Sequence, residues 1–181
     1  MKAIMMSIRP EWVAKILNKE KTIEVRKHFP SDYVGWVYIY ATKKYDECLW
    51  YKKDSKCYVL NYGKPTNDYL NGKVVARFWC DKVDYYEDVC FWSEENEKAS
   101  CLTPTDFFCY SNNKPCYLVH ITKLEIFDKP KEISEFKTKL HIKGGCKNCP
   151  QNTGLSMPYC KTCDFILSLT RVPQSWQFIE I

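Results

Sequence analysis

The chain has 181 residues, with 27 Lys+Arg against 22 Asp+Glu for a formal net charge of +5, 45% hydrophobic and 15% aromatic residues, and 11 cysteines. That length fits one globular domain, and the apolar content excludes wholesale disorder, which needs low hydrophobicity and high net charge. No apolar run approaches the roughly 18 to 20 residues that cross a bilayer, and the opening stretch ends at Arg9-Pro10 without a small-residue cleavage pattern, so the expectation is a soluble chain, away from membranes and without a secretory signal.

Lys2 to Ile8 (KAIMMSI) is a short apolar run suited to a buried strand. Pro10 then stands where the first turn of a helix tolerates it. Over Glu11 to Asn18, Trp12 and Ile16 are four apart and so are Val13 and Leu17, which predicts a short amphipathic helix against a core. Lys21 to Lys27 (KTIEVRK) switches to a period of two and predicts a half-buried strand, with Ile23 and Val25 inward and Thr22, Glu24 and Arg26 on the other side. Trp36 to Thr42, Cys57 to Leu60, Lys73 to Val83, Cys116 to Phe127 and Ser175 to Ile181 are further strands rich in β-branched and aromatic residues. Pro130 to Lys139 reads as a short helix. The stretches 45–56 and 89–115 carry weaker patterns, and the second is long enough for a functional loop or a small helical insertion. The whole predicts an α+β, mostly β architecture: a closed or partly closed β-barrel with short flanking helices.

Charge is unevenly spread. Met1 to Pro30 and Lys129 to Cys163 are basic, whereas Asp81 to Ser100 is acidic. Two basic segments folded to one side would make an anion-binding face; apart, they are a solvated lysine surface.

Cys146-Lys-Asn-Cys149 and Cys160-Lys-Thr-Cys163 form a C-x2-C-x10-C-x2-C pattern. Each pair can turn two thiolates toward one ion, and the two pairs complete a tetrahedral S4 set, so Cys146, Cys149, Cys160 and Cys163 are expected to hold a structural Zn. Two disulfides, a redox pair and unliganded thiols are the competing readings. No thioredoxin-like βαβ pattern accompanies the motif, and an odd cysteine count leaves one thiol over in any full pairing, which fits reduced thiols in a cytoplasmic setting. Iron is the alternative metal.

Serine-nucleophile signatures, phosphate-cradling glycine loops and dinucleotide fingerprints are absent, which removes classical hydrolase, kinase and dehydrogenase readings. His28, His120 and His141 lie in no catalytic motif, and His120 falls in an apolar strand as a core histidine would. What remains is Glu20 to Lys27. A lysine beside carboxylates can carry a proton, and a Lys/Arg pair at a barrel mouth can grip a phosphate or a base carbonyl; the same residues can equally be an ion-paired strand edge.

Asn18-Lys19-Glu20-Lys21-Thr22-Ile23-Glu24-Val25-Arg26-Lys27, just after a first helix, resembles the Gly-Glu-Lys-Thr-Ile-Glu-Ile-Arg-Lys-like segment of ASCH domains. Ser7-Ile8-Arg9-Pro10-Glu11, Ile16-Leu17, Gly72-Lys73-Val74-Val75-Ala76 and Leu169-Thr170-Arg171-Val172-Pro173-Gln174-Ser175-Trp176 are similar to bacterial and phage-type members. The resemblance implies a single PUA-like (ASCH) β-barrel domain over 1–181, with the cysteine-rich zinc knuckle as an insertion at 144–165. It implies a cleft beside the first helix that binds RNA, a nucleotide or a modified nucleoside, with Lys21, Thr22, Glu24, Arg26, Arg171 and Trp176 as ligand-binding residues; for Trp176 plain core packing is the competing role. Some small members hydrolyse the acetyl amide of N4-acetylcytidine with a lysine, a threonine three residues later and a glutamate from elsewhere. Lys21 matches the lysine, but Glu24 stands at the threonine position, which removes the hydroxyl nucleophile. The alternative to pure binding is therefore a small hydrolase, an amidohydrolase or a ribonuclease, in which Glu24 acts as general base and Lys21 stabilises the oxyanion. Glu94, Glu95 and Glu97 are candidates for a further carboxylate. A protein partner held by the zinc knuckle is a third possibility.

Overall fold

The computed structural model describes residues 2–44, 46–53, 56–62, 69–87, 91–140 and 165–181. The four cysteines of the C-x2-C pairs and His141 lie outside them. Strand β1 (Lys2–Ile8) runs into helix α1 (Pro10–Leu17), with Pro10 at the start of the helix as expected. The chain continues through β2 (Ile23–Arg26), β3 (Gly35–Ala41), the hairpin β4 (Cys48–Lys52) and β5 (Cys57–Asn61), β6 (Val74–Cys80) and β7 (Val83–Tyr86). Helices α2 (Glu94–Ser100) and α3 (Pro104–Ser111) follow, then β8 (Cys116–His120), β9 (Thr122–Lys131), β10 (Lys137–Leu140), β11 (Phe165–Ser168) and β12 (Trp176–Glu180).

The strands form a seven-stranded sheet in the order β11-β10-β12-β1-β3-β6-β9, a three-stranded sheet β2-β8-β7, and the β4-β5 hairpin. The mostly β expectation holds, but among the described residues the strands do not close into a barrel; β7 and β9 are edge strands. The chain changes sheets at two short joints, and there the sequence reading of single long strands fails. Lys73 to Val83 breaks at Asp81-Lys82, where the backbone C=O of Lys82 accepts from His120 N–H, and Cys116 to Phe127 breaks at Ile121, whose N–H donates to Thr22 C=O. The predicted helix over Pro130 to Lys139 is also corrected. β9 runs through Pro130 to Lys131, a 3-10 turn spans Ile133–Glu135, and β10 begins at Lys137. A proline is tolerated on an edge strand, and Glu132 and Glu135 cap only a single turn.

The seven-stranded sheet carries a core on each face. Alternate residues of β1, β3 and β6 (Ile4, Met6, Val37, Ile39, Ala76, Phe78) pack with Val13, Ile16 and Leu17 of α1 and with Val119 of β8. Their neighbours on the other face (Ala3, Met5, Tyr38, Tyr40) pack with Phe136, Leu169 and Ile179. A third cluster joins Ile23 and Val25 to Phe107 of α3 and Leu118 of β8. β2 is thus covered on both faces, where alternation had predicted a half-buried strand: Glu24 is 5% exposed.

α1 ends at Asn18, and Lys19 takes a left-handed conformation at φ 63. This is the helix-terminating position that glycine favours and that carries Gly in the resembling segments. Lys19→Gly is therefore expected to stabilise the fold by about 0.5–1 kcal/mol, the relief of side-chain strain exceeding the entropy gained by the unfolded chain. Urea unfolding would show a higher midpoint at unchanged slope; a lower midpoint would mean that the Lys19 side chain holds the turn.

Candidate functional site

The turn after α1 delivers Lys21 and Thr22 to the C-terminal end of α2, whose last carbonyls have no partner within the helix. Thr22 N–H donates to Ala99 C=O at 2.8 Å, and Lys21 Nζ donates to Ser100 C=O at 2.6 Å. A cation at a helix C-terminus also meets the negative end of its dipole. Lys21 is 2% exposed. Its Nζ lies 3.3 Å from Glu24 Oε2, while Arg26 Nη2 lies 3.0 Å from Glu24 Oε1 and donates at 2.8 Å to Ser7 C=O. One buried carboxylate thus holds two cations, and backbone carbonyls of β1 and α2 take up further donors.

Burial pushes the Lys21 amine below its ordinary value, and the Glu24 carboxylate opposes that shift. The ring of Trp12 is flanked by Lys21 Nζ at 5.1 Å and Lys15 Nζ at 5.2 Å from its centroid. Arg26 Nε is buried without a hydrogen-bond partner.

These residues form part of the wall of a cavity of about 810 Å³. It lies between the end of β1 with the start of α1 (Ser7, Ile8, Arg9, Glu11, Trp12), the β2 strand with Lys21 just before it (Glu24, Val25, Arg26), and α3 with Leu102 two positions ahead of it (Asp106, Cys109, Tyr110). Thr42 and Gln174 complete it. Asp106 is already engaged: its Oδ2 accepts from Thr103 N–H at 3.3 Å in a capping box that starts α3. Burial raises the Tyr110 hydroxyl above its ordinary value, with Arg26 opposing. Lys27 Nζ stands 5.3 Å from the centre of the Tyr110 ring.

Of the residues expected at the site, Lys21, Glu24 and Arg26 come together at this cavity. Thr22 is exposed and contributes its backbone to the α2 terminus. Arg171 is exposed and is not among the lining residues. Trp176 packs against Phe29 and Phe178, and its Nε1–H donates to His28 C=O. Glu94, Glu95 and Glu97 sit in the first turn of α2, away from the cavity wall. His120 accepts a different role from the expected core histidine: its Nε2 lies 2.7 Å from Asp84 Oδ2, and Lys82 pairs with the same carboxylate. Sequence reasoning missed Tyr110, Cys109 and Asp106 because α3 lies in a segment of weak pattern. It placed Trp12 in the core stripe of α1, where the ring is in fact only partly buried. Among the described residues no group of three or more His, Cys, Asp or Glu could hold a metal ion, and no helix is long and apolar enough to cross a membrane.

No family model and no curated protein matches the sequence. Among solved structures the chain is similar to the ASCH protein of Zymomonas mobilis and to a tyrosine-to-phenylalanine mutant of it. Each is 14% identical with a TM-score of 0.50. The matches cover 72% of this chain and 73% of the unmutated and 75% of the mutant chain. The fold is therefore that of an ASCH domain, as the β2 segment and its flanks suggested.

Because the native state releases the Lys21 proton more readily than the unfolded chain, the unfolded state binds more protons in the alkaline window below the ordinary lysine value of about 10.5. Stability attributable to Lys21 accordingly rises with pH through that window, is lost as pH falls back through it, and is constant once both states are protonated. Denaturation of wild type and of Lys21→Met, compared between neutral pH and the upper end of that window, is expected to show the wild type gaining on the variant as pH rises. A difference independent of pH would mean that Lys21 titrates as an ordinary lysine.

Proposed function

We propose that the cavity binds a nucleobase, presented by RNA, a nucleotide or a modified nucleoside. The observation that carries this reading is the buried Lys21–Glu24–Arg26 cluster on its wall beside two aromatic side chains, Trp12 and Tyr110. Arg26 Nε, buried without a partner, is a donor suited to a base carbonyl. Trp12 and Tyr110 provide ring faces for stacking. The lining residues that carry charge are Arg9, Lys21 and Arg26 against Glu11, Glu24 and Asp106. That balance suits an uncharged, hydrogen-bonding ring better than a run of phosphates, which requires excess cations.

A second reading, hydrolysis, is supported by the depressed amine of Lys21 beside a carboxylate, a pairing found where protons are moved. In that case Glu24 would take a proton from water, the water oxygen would attack an acyl carbon, Lys21 would hold the oxyanion, and its collapse would break the C–N bond as Glu24 returns the proton to the leaving nitrogen. Both Glu24 oxygens already accept from cations, so binding is the better supported of the two. Arg26→Ala is expected to weaken nucleoside binding by about tenfold or more, the loss of one charge-assisted hydrogen bond. Cys109, exposed at the cavity wall, serves as reporter: its alkylation should slow when nucleoside is bound. Incubation with N4-acetylcytidine and chromatography for cytidine separates the readings. Turnover lost in Lys21→Ala would establish the hydrolase; binding with no turnover leaves the recognition module; neither would retire both.

The four-cysteine pattern supports a structural zinc, which would staple its segment and offer a surface to a protein partner. Elemental analysis of purified protein is expected to give one zinc per chain in the wild type and none in Cys149→Ser/Cys160→Ser; iron at that stoichiometry would correct the metal. The free thiols of Cys57, Cys80, Cys101, Cys109 and Cys116 support a reducing, cytoplasmic setting.

A further inference from the structure

The face of the seven-stranded sheet opposite α1 is not an ordinary solvated strand surface. Strands β3 and β6, toward its β9 edge, pair Trp36 with Trp79 and Tyr38 with Arg77, and Arg77 in turn pairs with Glu125 of β9. The two tryptophan rings meet edge to face at 5.4 Å and 84°, and both keep part of their surface in solvent. Arg77 Cζ lies 4.1 Å from the centre of the Trp36 ring, with Nε 2.7 Å from Glu125 Oε2 and Nη1 3.2 Å from the Tyr38 hydroxyl. The guanidinium plane is therefore fixed on the sheet and not free to wander, although its side chain remains 30% exposed. Lys123 supplies a second cation 5.8 Å from the centre of the Trp79 ring.

Lys123 reaches that place through an unusual backbone. Its φ is 43, in the left-handed region that a lysine seldom adopts, and the β6–β9 register shifts between Arg77 and Trp79. A bulge of this kind re-aims a side chain at a cost in strain. Here the strained residue is one of the two cations beside the tryptophan pair.

We infer that this face is a stacking platform for single-stranded RNA, with bases stacking on the exposed part of Trp79 and on the outer side of the Arg77 guanidinium plane that covers Trp36, and with Lys123 facing the backbone phosphates. Partly exposed rings bordered by fixed cations match the two needs of a single-stranded nucleic acid, a π-face for each base and positive charge along the chain. The platform lies on the face of the sheet opposite to the one that packs on α1, and it does not depend on the occupant of the cavity.

Fluorescence anisotropy with a labelled oligouridylate of about twelve nucleotides tests it. Wild-type protein is expected to bind; Trp79→Ala should lower affinity about 5- to 100-fold, and Lys123→Gln should reduce the slope of log K against log salt by about 0.7. Arg77→Gln, a surface change whose folding is checked by circular dichroism, should also weaken binding. The platform is overturned if wild type fails to bind the oligonucleotide, or if the folded Arg77→Gln and Lys123→Gln variants bind as wild type does. It is also overturned if Trp79→Ala abolishes self-association in sedimentation while no oligonucleotide binds, which would make the face a protein contact. Nucleoside binding that is lost in Arg26→Ala while oligonucleotide binding ignores the sheet variants retires the platform and leaves the cavity reading standing. Oligonucleotide binding that depends on Trp79 but not on Arg26, with no nucleoside bound, does the reverse.

Discussion

The site depends on one carboxylate. Glu24 is buried between Lys21 and Arg26, and without it two cations would share a low-dielectric pocket with no counter-charge. Breaking a buried pair of this kind costs about 3–5 kcal/mol, a large part of the stability of an ordinary domain. The same arrangement ties three separate stretches of chain together, because Arg26 also donates to Ser7 at the end of β1 and Lys21 to Ser100 at the end of α2. The orphan carbonyl at the end of a short helix and the carbonyl at the end of a strand are thereby satisfied by side chains that also line the cavity. Structural and functional demands converge on the same three residues, so a substitution there reports on folding and on binding at once.

The second organising feature is the seven-stranded sheet, whose two faces have different jobs. One face is sealed by α1 and β8 and is fully apolar, with Ile4, Val37, Ile39 and Phe78 at zero exposure. The other is covered in part by Phe136 and Leu169, and toward Trp36 and Trp79 it gives way to rings that remain partly exposed and carry cations. A sheet covered on one side only would carry polar residues at those positions. The cost of leaving indole surface in water is offset locally by Arg77, which spreads its own apolar plane over Trp36.

Much of this was legible in the sequence where local pattern and burial agree. β1, α1, β3 and β12 follow from their runs and periods because each has a face whose apolar residues are all buried. The β2 segment was found for its residue types, but its spacing pointed equally to an exposed ion-paired edge. Period two reveals which residues share a side, not whether the polar side meets water, and the two cations that enclose Glu24 are held by distant partners: Lys21 by Ser100, 79 positions on, and Arg26 by Ser7 of β1. α3 could not be placed from its pattern because only Phe107 and Ser111 of its residues are buried, so no stripe announces it. The supposed helix at Pro130 to Lys139 failed for a related reason: lysines and glutamates suit exposed helices and exposed edge strands equally, and pairing with β6 decided the matter.

Charge distinguishes the two candidate surfaces more sharply than shape does. At the cavity the three cations are matched by three carboxylates, and both Lys21 and Arg26 are already committed to Glu24 and to backbone carbonyls. Such a wall recognises a group by the direction of its donors and acceptors, and it gains little from a second negative charge on the ligand. On the open sheet face Glu125 is set against Arg77, and Lys123 stands beside Trp79 as a further cation. A polyanion would be attracted to that face and a neutral ring to the cavity, so the two surfaces differ in salt dependence: association at the sheet weakens as ions compete for it, whereas a hydrogen-bonded base in the cavity responds little.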